Sequence, residues 1–207
     1  DFPYKYPNIN YNANNQWNNE YHQRCQIALG INKLMSNLNN EDIIITSDVD
    51  EIPNPDILQK IKKNILNFDI NNLNKLEMDM YYYNLKFRVG NGSNWHGIKL
   101  LNYKTYIKMG LTFQQMRLWE HTHDVPIVKN GGWHLSYFGD KKFIKNKIRA
   151  FSHQEYNNDI YLNDDYLENA LKNGINLVGG LDLQFIPINE NINLPPKYEI
   201  YLKQYCN

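Results

Sequence analysis

The chain has 207 residues, 42% of them hydrophobic, which is enough for one domain with a sizeable core. Its 22 Lys and Arg are balanced by 22 Asp and Glu, which excludes the broad basic face of a nucleic-acid binder or of a protein held on an anionic membrane. No run of roughly 18 apolar residues is present to span a bilayer, and nothing at the N-terminus has the basic-then-apolar build of a signal peptide, so the chain reads as soluble, with an upstream anchoring or targeting segment compatible with its start at Asp1.

Asn is crowded into 8–19, 37–40 and 71–74, and these blocks read as polar loops. From Asn19 to Leu38, residues Tyr21, Cys25, Ala28, Met35 and Leu38 fall close to one helical face, with Asn18 or Asn19 available as a cap, which predicts a helix. The run Asp42 to Thr46 is short, continuous and β-branched, and predicts a strand covered on both faces in a parallel sheet. It runs into Asp48, Asp50 and Glu51. Pro53 and Pro55 then stop it, Asn54 can cap, and Pro55 suits a first helical position ahead of Ile57, Leu58, Ile61 and Ile65. Leu76, Met78, Met80 and Tyr82 alternate with Glu77, Asp79, Tyr81 and Tyr83 as a second strand. Gly132 to Phe138 is a third, and Phe143 to Phe151 is helical in pattern. The one sequon, Asn91-Gly92-Ser93, matters only in a secretory setting. Cys25 and Cys206 are too far apart in sequence to make a metal or redox motif. With no internal repeat and no long linker, the whole is a single α/β domain with a mixed sheet.

In open α/β sheets, ligands collect beyond the C-terminal ends of strands, which is where Asp48 and Asp50 fall. Two carboxylates separated by one residue repel each other unless a cation neutralises them. An isolated D-x-D is ordinarily a solvated turn; the apolar strand before it and the proline stop after it favour chemistry here. Oxygen ligands suit Mg²⁺ or Mn²⁺, with substrate phosphate oxygens completing the shell. An EF-hand loop is excluded, because Ile52 and Pro53 stand where an oxygen ligand and a glycine belong.

Four segments, SDVDEIP at 47–53, YYYNL at 81–85, GGWHLSYFG at 131–139 and KIRAFSHQEYN at 147–157, together with Glu20, Gln23 and Arg24 in an E-x-x-Q-R pattern, carry a family resemblance. From about residue 17 to about 185, the chain resembles the glycosyltransferase family that includes the bisecting β-1,4-N-acetylglucosaminyltransferase (a family 17-like pattern). The resemblance implies a GT-A-like nucleotide-sugar-binding mixed sheet flanked by helices and a bound Mn²⁺ or Mg²⁺. It also implies a UDP-sugar donor and inverting transfer of a sugar, N-acetylglucosamine being the first choice, to the hydroxyl of a glycan acceptor. Family members carry a further N-terminal segment with the first strand of the nucleotide-binding sheet; the expectation is a single catalytic domain over 1–207 without it.

With this chemistry in view, Asp50 is the direct metal ligand. Asp48 is a second ligand or a contact to the donor ribose, and Glu51 orients either one. The resemblance also suggests a third metal ligand, for which His134 is the choice. Lys141 or Lys142 would meet phosphate, and Arg24 would contact donor phosphate or base, unless it only pairs with Glu20 one helical turn away. Trp133 is the first candidate to stack on a sugar, ahead of Trp95 and Trp119, although a core role is the default for each. Inversion needs a base for the acceptor hydroxyl. Glu155 beside His153 is nominated, with Asp79 and Glu120 behind it. The H-x-H cluster of His121 and His123 with Asp124 is a weak metal signal. Strand alternation sets His134, Ser136 and Phe138 on one face and Trp133, Leu135 and Tyr137 on the other. Two other readings compete. A haloacid-dehalogenase-type phosphatase also ends a strand in D-x-D, but Ile52 is out of place for it and no later Gly-Asp-x-x-x-Asp motif follows. A non-catalytic nucleotide- or sugar-binding protein would keep the fold alone.

Overall fold

The structure is a computed structural model that describes residues 3, 4, 8–66, 68–90 and 94–205. The Asn91-Gly92-Ser93 sequon and Cys206 lie outside the described residues.

The first helix, α1 (Asn15–Leu34), starts four residues before Asn19 and gives way to a 3-10 turn, Met35–Asn37. Its inward face matches the expected one in part: Ala28 and Leu38 pack on the core together with Ile31, whereas Tyr21 and Met35 are half exposed. The strand β1 (Ile43–Thr46) forms as predicted but in a different setting: it lies at one edge of the sheet, antiparallel to β5 (Lys99–Asn102), with Ile44 buried and Ile45 exposed. A four-residue β-branched run fixes neither strand direction nor two-sided burial, and here the neighbour is antiparallel. After the acidic turn come β2 (Glu51–Pro53) and α2 (Pro55–Lys62). Asn54 caps α2 by accepting a hydrogen bond from the Asp56 amide, and Ile57 and Ile61 are buried against Leu76, Met78 and Val128.

The organising strand is β3 (Asn74–Tyr82). One of its edges is shared by β5 at the N-terminal end and β4 (Phe87–Val89) at the C-terminal end, both antiparallel. The other edge carries β6 (Ile127–Ser136), which runs parallel to β3 from Lys75↔Ile127 to Tyr82↔Ser136. The register slips between Leu76 and Met78, opposite the left-handed Asn130 and Gly132. Gly132 is needed there, because a Cβ would collide with the carbonyl oxygen of Ile52 on β2, which lies antiparallel along the far side of β6.

Between β5 and β6 stand α3 (Tyr103–Met109) and α4 (Phe113–Leu118), the latter opened by a capping box of Thr112 and Gln115. After β6, α5 (Lys141–Ala150) and α6 (Asp164–Asn173) bury Ile144, Ile148, Leu167 and Ala170 against Met80 and Tyr82. β7 (Leu183–Phe185) pairs with β4, and α7 (Tyr198–Tyr205) closes the chain. The result is a seven-stranded mixed sheet among the described residues, with helices packed on it. No described helix is long and apolar enough to cross a membrane.

The expected alternation along β6 holds as far as Ser136. Met80 and Tyr82 are register partners of His134 and Ser136, while Tyr81 packs with Trp133 in a separate cluster. It then inverts. Tyr137 has φ 57°, leaves the strand and joins Met80 and Tyr82 on the His134 side, which sends Phe138 to the Trp133 cluster.

Candidate active site

The acidic segment is a turn between β1 and β2 whose tip, Val49, is 98% exposed. Its three carboxylates have different surroundings. The side chain of Asp48 is 44% exposed and that of Asp50 24%, but that of Glu51 is fully buried. In β2 the charged residue therefore points inward and Ile52 outward at 41% exposure.

Glu51 is satisfied by four donors from three segments. Arg117 Nη1 donates to Oε2 at 3.0 Å and Nη2 to Oε1 at 2.8 Å, a two-pronged contact from α4. The Trp95 indole N–H donates to Oε1 at 2.5 Å, and the Asp48 amide donates to Oε2 at 2.9 Å. Burial pushes the Glu51 carboxyl up, but the Arg117 contacts outweigh it and hold the group below its ordinary value. Gly97 packs against this clamp so closely that a Cβ there would collide with Glu51 Oε1 and Arg117 Nη1.

The strand pair beneath the clamp is charged as well. Lys75 and Lys99 are direct cross-strand partners, and Glu120 accepts from both ammoniums at 2.8 Å, which removes the repulsion of like charges set opposite each other. Lys99 is fully buried and also donates to the His96 carbonyl, fixing the 95–97 segment that grips Glu51. Burial lowers its pKa, with Glu120 opposing.

Asp48 and Asp50 face different cations. Asp48 Oδ2 accepts from Arg117 Nη2 at 2.9 Å and from Arg24 Nη2 at 3.5 Å. Arg24 is itself held by Glu20 at 2.7 Å and Gln114 at 3.0 Å, so the Glu20 pair and the Asp48 contact coexist. Asp50 Oδ2 accepts from Lys147 Nζ at 2.7 Å, with His134 Nε2 at 3.5 Å. Burial pushes the Asp50 carboxyl up, but His134 and Lys147 together hold it far below the usual carboxylate range. His134 is buried next to the Trp95 ring, centroids 4.7 Å apart, and its Nδ1 has no partner among the described residues. Among the described residues no three His, Cys, Asp or Glu side chains converge closely enough to hold a metal ion by themselves.

Two turns of α1 separate Arg24 from Trp17, whose ring meets His153 edge-on at 4.8 Å. His153 Nδ1 donates to Glu155 Oε1 at 2.7 Å, and both side chains are about half exposed. One face of α1 thus runs from the acidic turn to the His153–Glu155 pair, a rise of roughly 10 Å. Burial pushes the Glu155 carboxyl up, but the hydrogen bond and charge of His153, with a backbone hydrogen bond, together lower it.

The structure therefore brings Arg24, Asp48, Asp50 and His134 to one turn and strings His153 and Glu155 along the same wall. Other nominated residues stand elsewhere. Lys141 is bound to Glu168 at 2.8 Å on α6, and Lys142 lines a groove of about 450 Å³ with Lys145, Arg149 and Asp164. Trp133 is buried with its indole N–H on the Asn193 carbonyl, and Asp79 is paired with Arg88 on that same face of the sheet. His123 stacks flat on Trp119 at 3.7 Å and is exposed, apart from the acidic turn's contacts. Arg117 and Lys147 escaped the sequence reading. The capping box at Thr112–Gln115 marks the helix that carries Arg117, whereas Lys145 and Lys147 both flank the buried Ile144–Ile148 stripe of α5 and no local pattern chooses between them.

Neither the curated proteins nor the solved structures contain a match to the chain. The family model described as Glycosyltransferase family 17 matches residues 4–189, most of the chain and every segment of the site. The chain belongs to glycosyltransferase family 17 and is an enzyme that transfers glycosyl groups.

Proposed function

We propose that the enzyme moves a sugar, N-acetylglucosamine being the first candidate, from a UDP-sugar to a glycan hydroxyl with inversion, and that the sheet serves as a GT-A-like nucleotide-sugar platform. The observation that carries this reading is the acidic turn. Two partly exposed carboxylates are presented on a buried Glu51–Arg117 anchor, with Arg24, Arg117 and Lys147 around them. Such a turn suits an ion-bridged diphosphate, in which negative charge must be met at both ends. Membership of a glycosyltransferase family removes the phosphatase and the non-catalytic readings.

The residues fit a divalent cation. Asp50 and His134 offer an oxygen and an imidazole nitrogen on one side of the turn, a donor set suited to Mn²⁺, and two protein ligands suffice where substrate oxygens supply the rest. Bound there, the cation would stabilise charge growing on the leaving diphosphate. Arg24 and Arg117 keep Asp48 in place while the donor sits, and Glu51 prevents the turn from relaxing. Glu155, held ionised by His153, accepts the proton of the acceptor hydroxyl as that oxygen attacks the anomeric carbon and the bond to UDP breaks.

UDP release from a panel of UDP-sugars with a glycan acceptor, with Mn²⁺ or with EDTA, tests the reading, alongside calorimetric titration of UDP. UDP binding and turnover that need the metal are expected. Absence of UDP binding under either condition would sink it.

A further inference from the structure

Two tyrosines at the C-terminal ends of the central parallel strands have left-handed backbones, Tyr83 at φ 65° and Tyr137 at φ 57°. Bulky side chains rarely adopt that conformation, and such strain collects at functional sites. At Tyr137 its geometric effect is definite. Continued alternation would place the ring with Trp133 and Leu135. The left-handed residue instead turns it to the His134 side, where Lys147 Nζ stands 4.8 Å from the ring centroid and 2.7 Å from Asp50 Oδ2.

The cations of the turn are not equally committed. Arg117 bridges Asp48 and Glu51, and Arg24 bridges Glu20, Gln114 and Asp48. Among the described residues Lys147 has a single carboxylate partner, Asp50, on a side chain that is 27% exposed. Its ammonium is a compact charge on a flexible stem with three donors, able to change oxygen partners without leaving the face of a ring.

Resting on the donor reading above, we propose that Lys147 is a phosphate-binding residue of the nucleotide-sugar site and that Tyr137 is its positioning residue. In the free enzyme Lys147 neutralises Asp50. When the diphosphate enters, the ammonium passes from Asp50 to a phosphate oxygen, and the Tyr137 ring keeps it over the site throughout. That exchange would leave the Asp50 carboxylate free to hold a divalent cation while the phosphate keeps its charge partner. No bond is made or broken, and the Tyr137 phenol, pushed up by burial, keeps its proton.

Calorimetric titration at saturating Mn²⁺ decides it, with UDP and with uridine as probes, on wild type, Lys147→Met, Lys147→Arg, Tyr137→Phe, Tyr137→Leu and the Lys147→Met/Tyr137→Leu double variant. Chemical denaturation confirms that each is folded. Lys147→Met should weaken UDP by about 10–100-fold, the range for a lost hydrogen bond between charged groups, and leave uridine within about twofold. Lys147→Arg and Tyr137→Phe should retain most of the UDP affinity. Tyr137→Leu should weaken UDP several-fold in the wild-type background and not at all when Lys147 is already Met. Equal UDP affinity in wild type and Lys147→Met overturns the proposal, as does a parallel loss of uridine or an equal Tyr137→Leu cost in both backgrounds. If wild type binds no UDP, the donor reading itself falls, and the proposal with it.

Discussion

Replacing Glu51 by alanine removes a carboxylate that is fully buried and leaves Arg117, only 14% exposed at its side chain, without two of its three carboxylate contacts. The Trp95 indole and the Asp48 amide lose their acceptor in the same step. Breaking a buried ion pair by deleting one partner costs about 3–5 kcal/mol, because the other charge remains desolvated. The orphaned indole and amide do not add in full, since they share the carboxylate and the space left by its removal admits water. For a chain of this length about 2–4 °C of Tm accompanies each kcal/mol, so Tm should fall by roughly 6–20 °C. Urea unfolding of wild type, Glu51→Ala and Glu51→Gln measures the change, with an unaltered m-value showing that only stability has moved. The acid limb supplies a second check. The folded carboxyl is held below its unfolded value, so its contribution is complete above the unfolded pKa and is lost as pH falls through the folded one. Glu51→Gln cannot lose it, and its stability should decline less steeply in acid than that of wild type. A loss under about 1 kcal/mol, or identical acid limbs, would refute the account of the clamp.

Gly97→Ala should have a related effect by a different route, since its Cβ needs space held by Glu51 Oε1 and Arg117 Nη1. An overpacking cost of about 1–3 kcal/mol and weaker UDP binding are expected from urea unfolding and titration, and an unchanged variant would show that the 95–97 segment is not closely fitted. Asp50→Asn should lower transfer by about 100-fold or more while unfolding much closer to wild type than Glu51→Ala, because Asp50 lies at the solvent edge; substantial turnover with Mn²⁺ present would remove Asp50 from the chemistry. Glu155→Gln should lower kcat by about 10²–10⁴-fold with UDP affinity unchanged. His153→Ala should move the acid limb of kcat to higher pH, since the hydrogen bond that lowers the Glu155 carboxyl is gone; a limb that stays in place would exclude Glu155 as the base.

Local chemistry was readable from the sequence where it sets the structure alone. The Asn54–Pro55 start of α2, the alternation of β3 and the strand expected over Gly132–Phe138 each follow from residues a few positions apart, and all three are present, although β6 begins five residues earlier, at Ile127, and ends at Ser136. Strand direction was not readable, because nothing in four β-branched residues tells whether β5 lies parallel or antiparallel to β1. Three-residue strands such as β4 and β7 are too short to show a period. Arg117 meets Glu51 across 66 positions of sequence, and no local pattern encodes that meeting. Tyr137 reverses its face through a backbone conformation usually signalled by glycine, and the sequence there has a tyrosine.

The acidic turn shows why the remainder is not encoded locally. Asp48, Asp50 and Glu51 are equivalent as a string of carboxylates; the family resemblance casts Glu51 in support of the other two, but composition does not say what buries it. The distinction arises in β2, where pairing with β6 sets Glu51 opposite His134 and Ile52 opposite Trp133. Hydrophobic patterning favours the reverse, with isoleucine inward. The inverted arrangement is stable only because Arg117, the Trp95 indole and the Asp48 amide have already assembled an anion site, and because Gly97 leaves the space for it. A conflict of this kind between local preference and final placement is expected where function sets the geometry. With the buried carboxylate anchored, the turn cannot withdraw, and Asp48 and Asp50 remain at the surface, where a ligand can reach them.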